Sequence, residues 1–319
     1  MESMNKSKLT ENELQTVIYQ EFKQGYSDVA ELGDGWANMA YVITLADGRK
    51  VVLKIAPAKG KLVMRCEQDN MRSEVEALRL VADIGGVPVP QLYVYDPSCT
   101  LIAAEYFIMA YVEGTPLNKV RDSLTEEERV AIHRELGVYN RRINSCTFDR
   151  FGYFFGAGSL KATWREAFEE LLYGVLADGM EADVQLPVSY EEIRREINRR
   201  LWALDEVEEA CLVHWDLWDG NIIIHEGRIS AIIDFERAFW GEPLIEYYFG
   251  HFAKSVAFEE GYGRCVVTEA EKTRRALYDL YLDLIMAIEC DFRQYENAGH
   301  VEWAFANLRS GYERFVMSA

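Results

Sequence analysis

At 319 residues and 49% hydrophobic content, the chain is long enough for one large or two medium cores and too apolar to be disordered. Its net charge of −19 argues against a nucleic-acid partner, because phosphate backbones are held by clustered lysine and arginine. Six scattered cysteines with no C-x-x-C pair, an N-terminus without an apolar signal core, and no apolar run near the ~18 residues of a membrane span point to a soluble cytoplasmic protein with no membrane partner.

Residues 10–22 read as a helix opened by a Thr10/Glu13 capping box. Val42, Thr44, Val51 and Leu53 then fall in two runs around Asp47-Gly48, a hairpin signal. In MRSEVEALRLVADIGG the spacing of Val75, Leu78 and Ala82 predicts a helix ended by Gly85-Gly86. VPVPQLYVYD and LIAAEYFIMAYVEG follow as strands. After Gly114 the pattern turns helical, with capping boxes at Thr125/Glu128, Ser189/Glu192 and Thr268/Glu271 and a last amphipathic stretch over 301–316. The expected class is therefore α+β. Residues 1–112 form a small antiparallel sheet carrying a helix, and residues 113–319 form a larger, mainly helical part.

One segment breaks the helical part. HWDLWDGNIIIHEGRISAIIDFE, residues 214–236, places polar groups between two apolar strands. Ile222–Ile224 and Ile229–Ile233 form a hairpin about Glu226-Gly227, which sets Asn221 and Asp234 side by side at its open end, about 5 Å apart. Asp216 lies five residues before Asn221, so two carboxylates and an amide oxygen converge. Hard oxygen ligands of this kind suit Mg²⁺, which shares its shell with phosphates. His225 falls at the far end of the hairpin, about 13 Å away, which counts against a metal-dependent hydrolase built on His214, Asp216, Asp219 and His225.

The spacing H-x-D-x-x-x-x-N followed by D-F fits a phosphoryl-transfer loop, with Asp216 as base and Asn221 and Asp234 as metal ligands. Such a site needs a lysine on a strand, and Lys54 in VVLKIA is placed for it. Glu74 on the next helix is the expected partner of Lys54, ahead of Glu67 and Glu76. Gly33 and Gly35 of LGDGWAN stand before the first hairpin strand, where backbone N–H groups can approach phosphates, and Asn38 stands near where a third glycine would fall.

From about residue 30 onward the chain resembles the aminoglycoside phosphotransferase-like kinases, a small-molecule branch of the protein-kinase fold that includes antibiotic, choline, methylthioribose and fructosamine kinases. The resemblance rests on VVLKIA, RSEVEALRLV, GVPVPQL, FIMAYVEGTPL, VHWDLWDGNIII and IIDFERAFWGEPLIEYYF, and DLWDGN is similar to fructosamine kinases in particular. It implies two lobes of the protein-kinase type and an Mg²⁺-dependent transfer from ATP, with GTP not distinguished, to a hydroxyl of a small molecule. Asp216 would orient or deprotonate that hydroxyl. Asn221 and Asp234 would hold magnesium, Lys54 and Glu74 the phosphates, and the backbone of Ala110 and Val112 the adenine. His214 would shape the loop.

Trp215 stands where that family usually has glycine, and Glu236 replaces the glycine of D-F-G. GEPLIEYYF follows Asp234 too soon for the activation segment that docks a protein substrate, so protein kinase activity is disfavoured. The negative charge leans towards a cationic acceptor of amino-sugar type, with Glu242 and Glu246 as candidate acceptor contacts. A kinase of another metabolite (a ketosamine, a choline-like amine, a sugar) is the alternative. A nucleotide-binding pseudokinase is a further one, although Lys54, Asp216, Asn221 and Asp234 are all present. The sequence is silent on oligomeric state.

Overall fold

The two runs around Asp47-Gly48 become the centre of a five-stranded antiparallel sheet in the computed structural model, which describes residues 8–33, 38–57, 60, 63–155, 160–295 and 297–318. The strands are β1 (Tyr26–Glu31), β2 (Met39–Leu45), β3 (Lys50–Ile55), β4 (Leu92–Asp96) and β5 (Tyr106–Ala110), in the spatial order β1-β2-β3-β5-β4. β1 has almost no buried side chain and no apolar alternation, so only its pairing with β2 reveals it. Helix α1 (Glu11–Phe22) starts at the expected capping box. Its Leu14, Val17 and Ile18 cover one sheet face through Val51, Leu53 and Ile55.

Alternation along β3 then decides where its lysine goes. Val51, Leu53 and Ile55 face α1, so Val52 and Lys54 face the other way, beside Phe107 and Met109 of β5. Helix α2 (Asn70–Ile84) packs on this second face through Met71, Val75, Leu78 and Val81, and it ends at Gly85 as expected.

Beyond β5 come the short β6 (Thr115–Pro116), α3 (Leu117–Val120), α4 (Glu126–Asn144), the short β7 (Thr147–Phe148), α5 (Trp164–Glu181) and α6 (Tyr190–Asn198). Strands β8 (Ala210–Val213), β9 (Ile222–His225), β10 (Arg228–Ile232) and β11 (Phe239–Gly241) follow. Helices α7 (Val256–Tyr262), α8 (Glu269–Arg293) and α9 (Ala298–Met317) complete the chain. The Thr125 and Thr268 boxes form fully, whereas Ser189 accepts from the Glu192 N–H without the return bond. α5 was not foreseen, although Thr163/Glu166 is a capping box of the same kind.

The expected hairpin is not alone in the helical part. β9 pairs with both β10 and β6, while β8 pairs with β7 and β11, giving two three-stranded sheets. Gly114, at φ +143°, lets the chain cross close to β9, where a β-carbon would lie 2.6 Å from the Ile224 carbonyl oxygen. The apolar core of the helical part is continuous with the second face of the five-stranded sheet. No described helix is long and apolar enough to cross a membrane.

Candidate active site

The β9–β10 turn carries Glu226 and Gly227 at φ +49° and +75°, the left-handed pair that a two-residue hairpin favours. The register runs from Arg228 opposite His225 to Ile232 opposite Ile222, and the Ile233 N–H reaches the Asn221 carbonyl at 3.0 Å. Asn221 and Asp234 therefore stand together at the open end, and exposed His225 lies at the turn. Asn221 is the last residue of a 3-10 turn, Asp219–Asn221. Its Nδ2 donates to the Asp216 carbonyl at 2.8 Å and to Asp216 Oδ2 at 3.3 Å, which directs its amide oxygen away from Asp216.

Lys54 crosses from the sheet to this end. Its Nζ donates to both Glu74 oxygens at 2.8 and 2.7 Å and to Asp234 Oδ1 at 2.8 Å. Burial opposes the lysine's charge, but Asp234 and Glu74 outweigh it and hold the ammonium well above the ordinary lysine range. Burial alone would raise Asp234; the Lys54 charge instead holds its carboxyl below the usual carboxylate range. The rival glutamates go elsewhere, Glu67 to Arg293 and Glu76 to Arg79.

Burial pushes the Asp216 carboxyl up to about 7, with Arg237 as the main charge pulling it back. Arg237 donates to Glu289 of α8 at 2.8 Å and lies 5.5 Å from the Trp215 ring centroid. In the sequence Arg237 stands out only by adjacency to Asp234-Phe235-Glu236, and Glu289 does not stand out at all. Trp215 itself sits at φ +61°, which explains why glycine suits this position, and Asp234 sits at φ +66°. The Trp215 ring packs on Tyr281 at 5.3 Å and on Phe239 at 6.3 Å.

His214 and Asp219 of the segment are held internally. His214 is fully buried and joins the Ile233 carbonyl through Nε2 at 3.0 Å, so it links the loop to the strand end before Asp234. Asp219 accepts from Arg121 at 3.0 Å and from the Tyr248 hydroxyl, which makes it an anchor of the turn. Glu242 and Glu246 do not line an acceptor pocket as expected. Glu242 is buried against Arg274 and Tyr278. Glu246 accepts from the His214 and Trp215 N–H groups, both at 2.9 Å, and from Asn140 and Asn144 at 2.9 and 3.1 Å. It props the loop from below.

Among the described residues, Glu74, Asp234 and Glu236 have carboxylate oxygens all within 4.8 Å of one another. That is an all-oxygen donor set of the kind a hard divalent cation takes. His214 and His225 are outside this group, and the hydrolase constellation does not assemble.

The nucleotide-side expectations are placed unevenly. Gly33 is exposed with open space around its α-carbon, and Gly35 lies outside the described residues. The Ala110 N–H is taken by the Gln91 carbonyl at 2.8 Å, so of Ala110 only the carbonyl side is left for an adenine. Val112 lies between β5 and β6, in the connector joining the two lobes.

The architecture has close counterparts among solved structures. Aminoglycoside phosphotransferase APH(4)-Ia, solved with AMP-PNP and hygromycin B, superposes with a TM-score of 0.66 at 20% identity, covering 96% of this chain and 98% of that one. A candidate fructosamine-3-kinase from Haemophilus somnus 129PT gives 0.68 at 16% identity, over 93% and 96%. The fold is thus the two-lobed, protein-kinase-like α+β architecture expected. Among curated sequences, acyl-CoA dehydrogenase family member 11 of Rattus norvegicus is 28% identical over 227 residues, which is 68% of this chain and 27% of that protein. Altered inheritance of mitochondria protein 9 of Clavispora lusitaniae is 31% identical over 141 residues, 40% of this chain and 22% of that protein. The chain spans about a quarter of the length of these curated relatives. The description "Phosphotransferase enzyme family" matches residues 28–264, three-quarters of the sequence, and the chain belongs to that family.

Proposed function

We propose that the cleft transfers the γ-phosphoryl group of ATP to a hydroxyl of a small molecule. The observation that carries this reading is Lys54 held between Glu74 and Asp234, with Asp216 bonded to Asn221 at the same open end of the β9–β10 hairpin. Lys54 is positioned to take the α- and β-phosphates, and the Ala110 carbonyl with the Val112 backbone to take the adenine. Asn221 and Asp234, with Glu236 beside them, offer the oxygens for Mg²⁺. The bound cation would supply neutralisation of charge on the phosphates.

Asp216 orients the acceptor hydroxyl and takes its proton as the oxygen–phosphorus bond forms and the β–γ bridging bond breaks. A carboxyl brought up to about 7 by burial is matched to that task near neutral pH. Catalysis here is positioning and electrostatics, with little covalent chemistry for the protein.

The acceptor would approach from the helical lobe. A cavity of about 380 Å³ lies between α5 and the segment ahead of α2, walled by Arg65, Cys66, Tyr153, Lys161, Glu170 and Tyr173. Its Tyr153 shares a 3.0 Å hydrogen bond with Tyr281, whose ring packs on Trp215, the neighbour of Asp216. With Glu242 and Glu246 engaged internally, an acceptor of low positive charge is favoured over a polycationic aminoglycoside. An ATP-consumption screen across aminoglycosides, ketosamines, choline-like amines and neutral sugars tests this. Asp216→Ala is expected to abolish transfer while leaving MgATP binding largely intact, and full turnover in that variant would sink the assignment.

A further inference from the structure

Glu236 occupies the third position of Asp234-Phe235-Glu236, and two asparagines of the sheet lobe hold it. Asn38, one residue before β2, donates through Nδ2 to Glu236 Oε2 at 2.7 Å. Asn70, the first residue of α2, reaches the Glu236 carbonyl at 3.2 Å and the Cys66 carbonyl at 3.3 Å once its amide is turned to donate. Asn38 and Glu236 are 6% and 7% exposed, so the bond between them is shielded from water. Glycine at position 236 would offer no side chain to hold.

The arrangement answers a problem the site creates for itself. Three carboxylates crowd around one ammonium, and Lys54 bonds only two of them, Glu74 and Asp234. A third acid this close, with no donor of its own, would compete for Lys54 or repel Asp234. The Asn38 amide is the donor that Glu236 uses instead.

We infer that Asn38 is a positioning residue of the nucleotide site. By fixing Glu236 Oε2 it keeps that carboxylate off Lys54 and ties the start of β2 to the turn after Asp234. This rests on the reading of the cleft as an MgATP site and adds a residue to it. Asn38 acts through Glu236, so its effect must vanish when Glu236 loses its charge.

The experiment is a double-mutant cycle read by calorimetric titration with MgATP. It uses the wild type, Asn38→Ala, Glu236→Gln and the double variant, with melting curves to establish that each is folded. Asn38→Ala is expected to weaken MgATP binding roughly tenfold beside Glu236, as loss of a buried hydrogen bond does, and by less than about threefold beside Gln. Equal losses in the two backgrounds, or no loss in either, overturn the inference. Should Asn38→Ala unfold, Asn38→Asp keeps the shape while placing like charge against Glu236. Its larger loss must likewise be relieved by Glu236→Gln, and an unrelieved loss overturns the inference. A wild type that takes up no MgATP overturns the nucleotide reading and this inference with it. A wild type that binds while its variants bind equally overturns this inference alone.

Discussion

Glu246 holds the loop at His214-Trp215 from outside it. One buried carboxylate accepts from two consecutive backbone N–H groups, at His214 and Trp215, and from two asparagines of α4. Glu246→Ala leaves the His214 and Trp215 N–H groups and the Asn140 amide buried without that acceptor, while Asn144 keeps the Leu212 carbonyl, and should cost on the order of 4 kcal/mol of stability, measured by chemical denaturation. Asp216, Asn221 and Asp234 were legible because their spacing is local and the Glu226-Gly227 turn fixes the register between them. Glu246, Arg121 and Arg237 were not, because they meet Trp215, Asp219 and Asp216 from 31, 98 and 21 residues away and show in sequence only as ordinary charges. The acceptor role first assigned to Glu242 and Glu246 fails for that reason: an acidic residue's partner cannot be read from its own neighbourhood.

Elements were easier to foresee than their contacts, because capping chemistry is local. The long helix α8 begins where Thr268 and Glu271 cap each other, with the Glu271 N–H on Thr268 Oγ1 at 3.1 Å and the Thr268 N–H on Glu271 Oε2 at 2.9 Å. Slight burial works against the Glu271 charge, but Arg264 and the N–H groups of Thr268 and Val267 bring its carboxyl down to about 2. A depressed carboxyl stabilises the fold above its ordinary value of 4.5, and that contribution fades as pH falls from there towards 2. Glu271→Gln should therefore flatten the loss of stability on acidification, read from denaturation midpoints between pH 5 and about 2.5. The same logic could have found α5 from Thr163/Glu166. β1 has no such signal, since an exposed edge strand is defined by the strand beside it.

At the scale of the whole molecule, the two lobes are joined by buried charge as well as by the connector after β5. Arg293, the last residue of α8, donates through Nε to Glu67 at 2.9 Å, just ahead of α2, and Arg237 and Arg293 both meet Glu289. Arg65, its side chain partly exposed, reaches buried Asp178 and exposed Glu181 of α5 from the same segment, whereas the side chains of the set formed by Arg293, Glu67 and Glu289 are buried. Removing one member of such a buried set leaves its partner's charge uncompensated. Arg293→Met should cost about 3–5 kcal/mol, and Arg293→Met with Glu67→Gln distinctly less, by denaturant unfolding. The two-lobed class was readable from the change of period along the chain, whereas these ties, spanning 113 to 226 residues, were not.

Trp215 gives the loop a different character from one built on glycine. A left-handed backbone costs a large residue about 1–2 kcal/mol, and here the indole offsets it by packing on Tyr281, Phe239 and the Arg237 guanidinium. A glycine merely permits the bend, whereas this tryptophan fastens it to α8. The backbone that presents Asp216 is therefore anchored through its neighbour to Tyr281 of α8, so the setting of that carboxylate depends on a helix residue 65 positions farther along the chain.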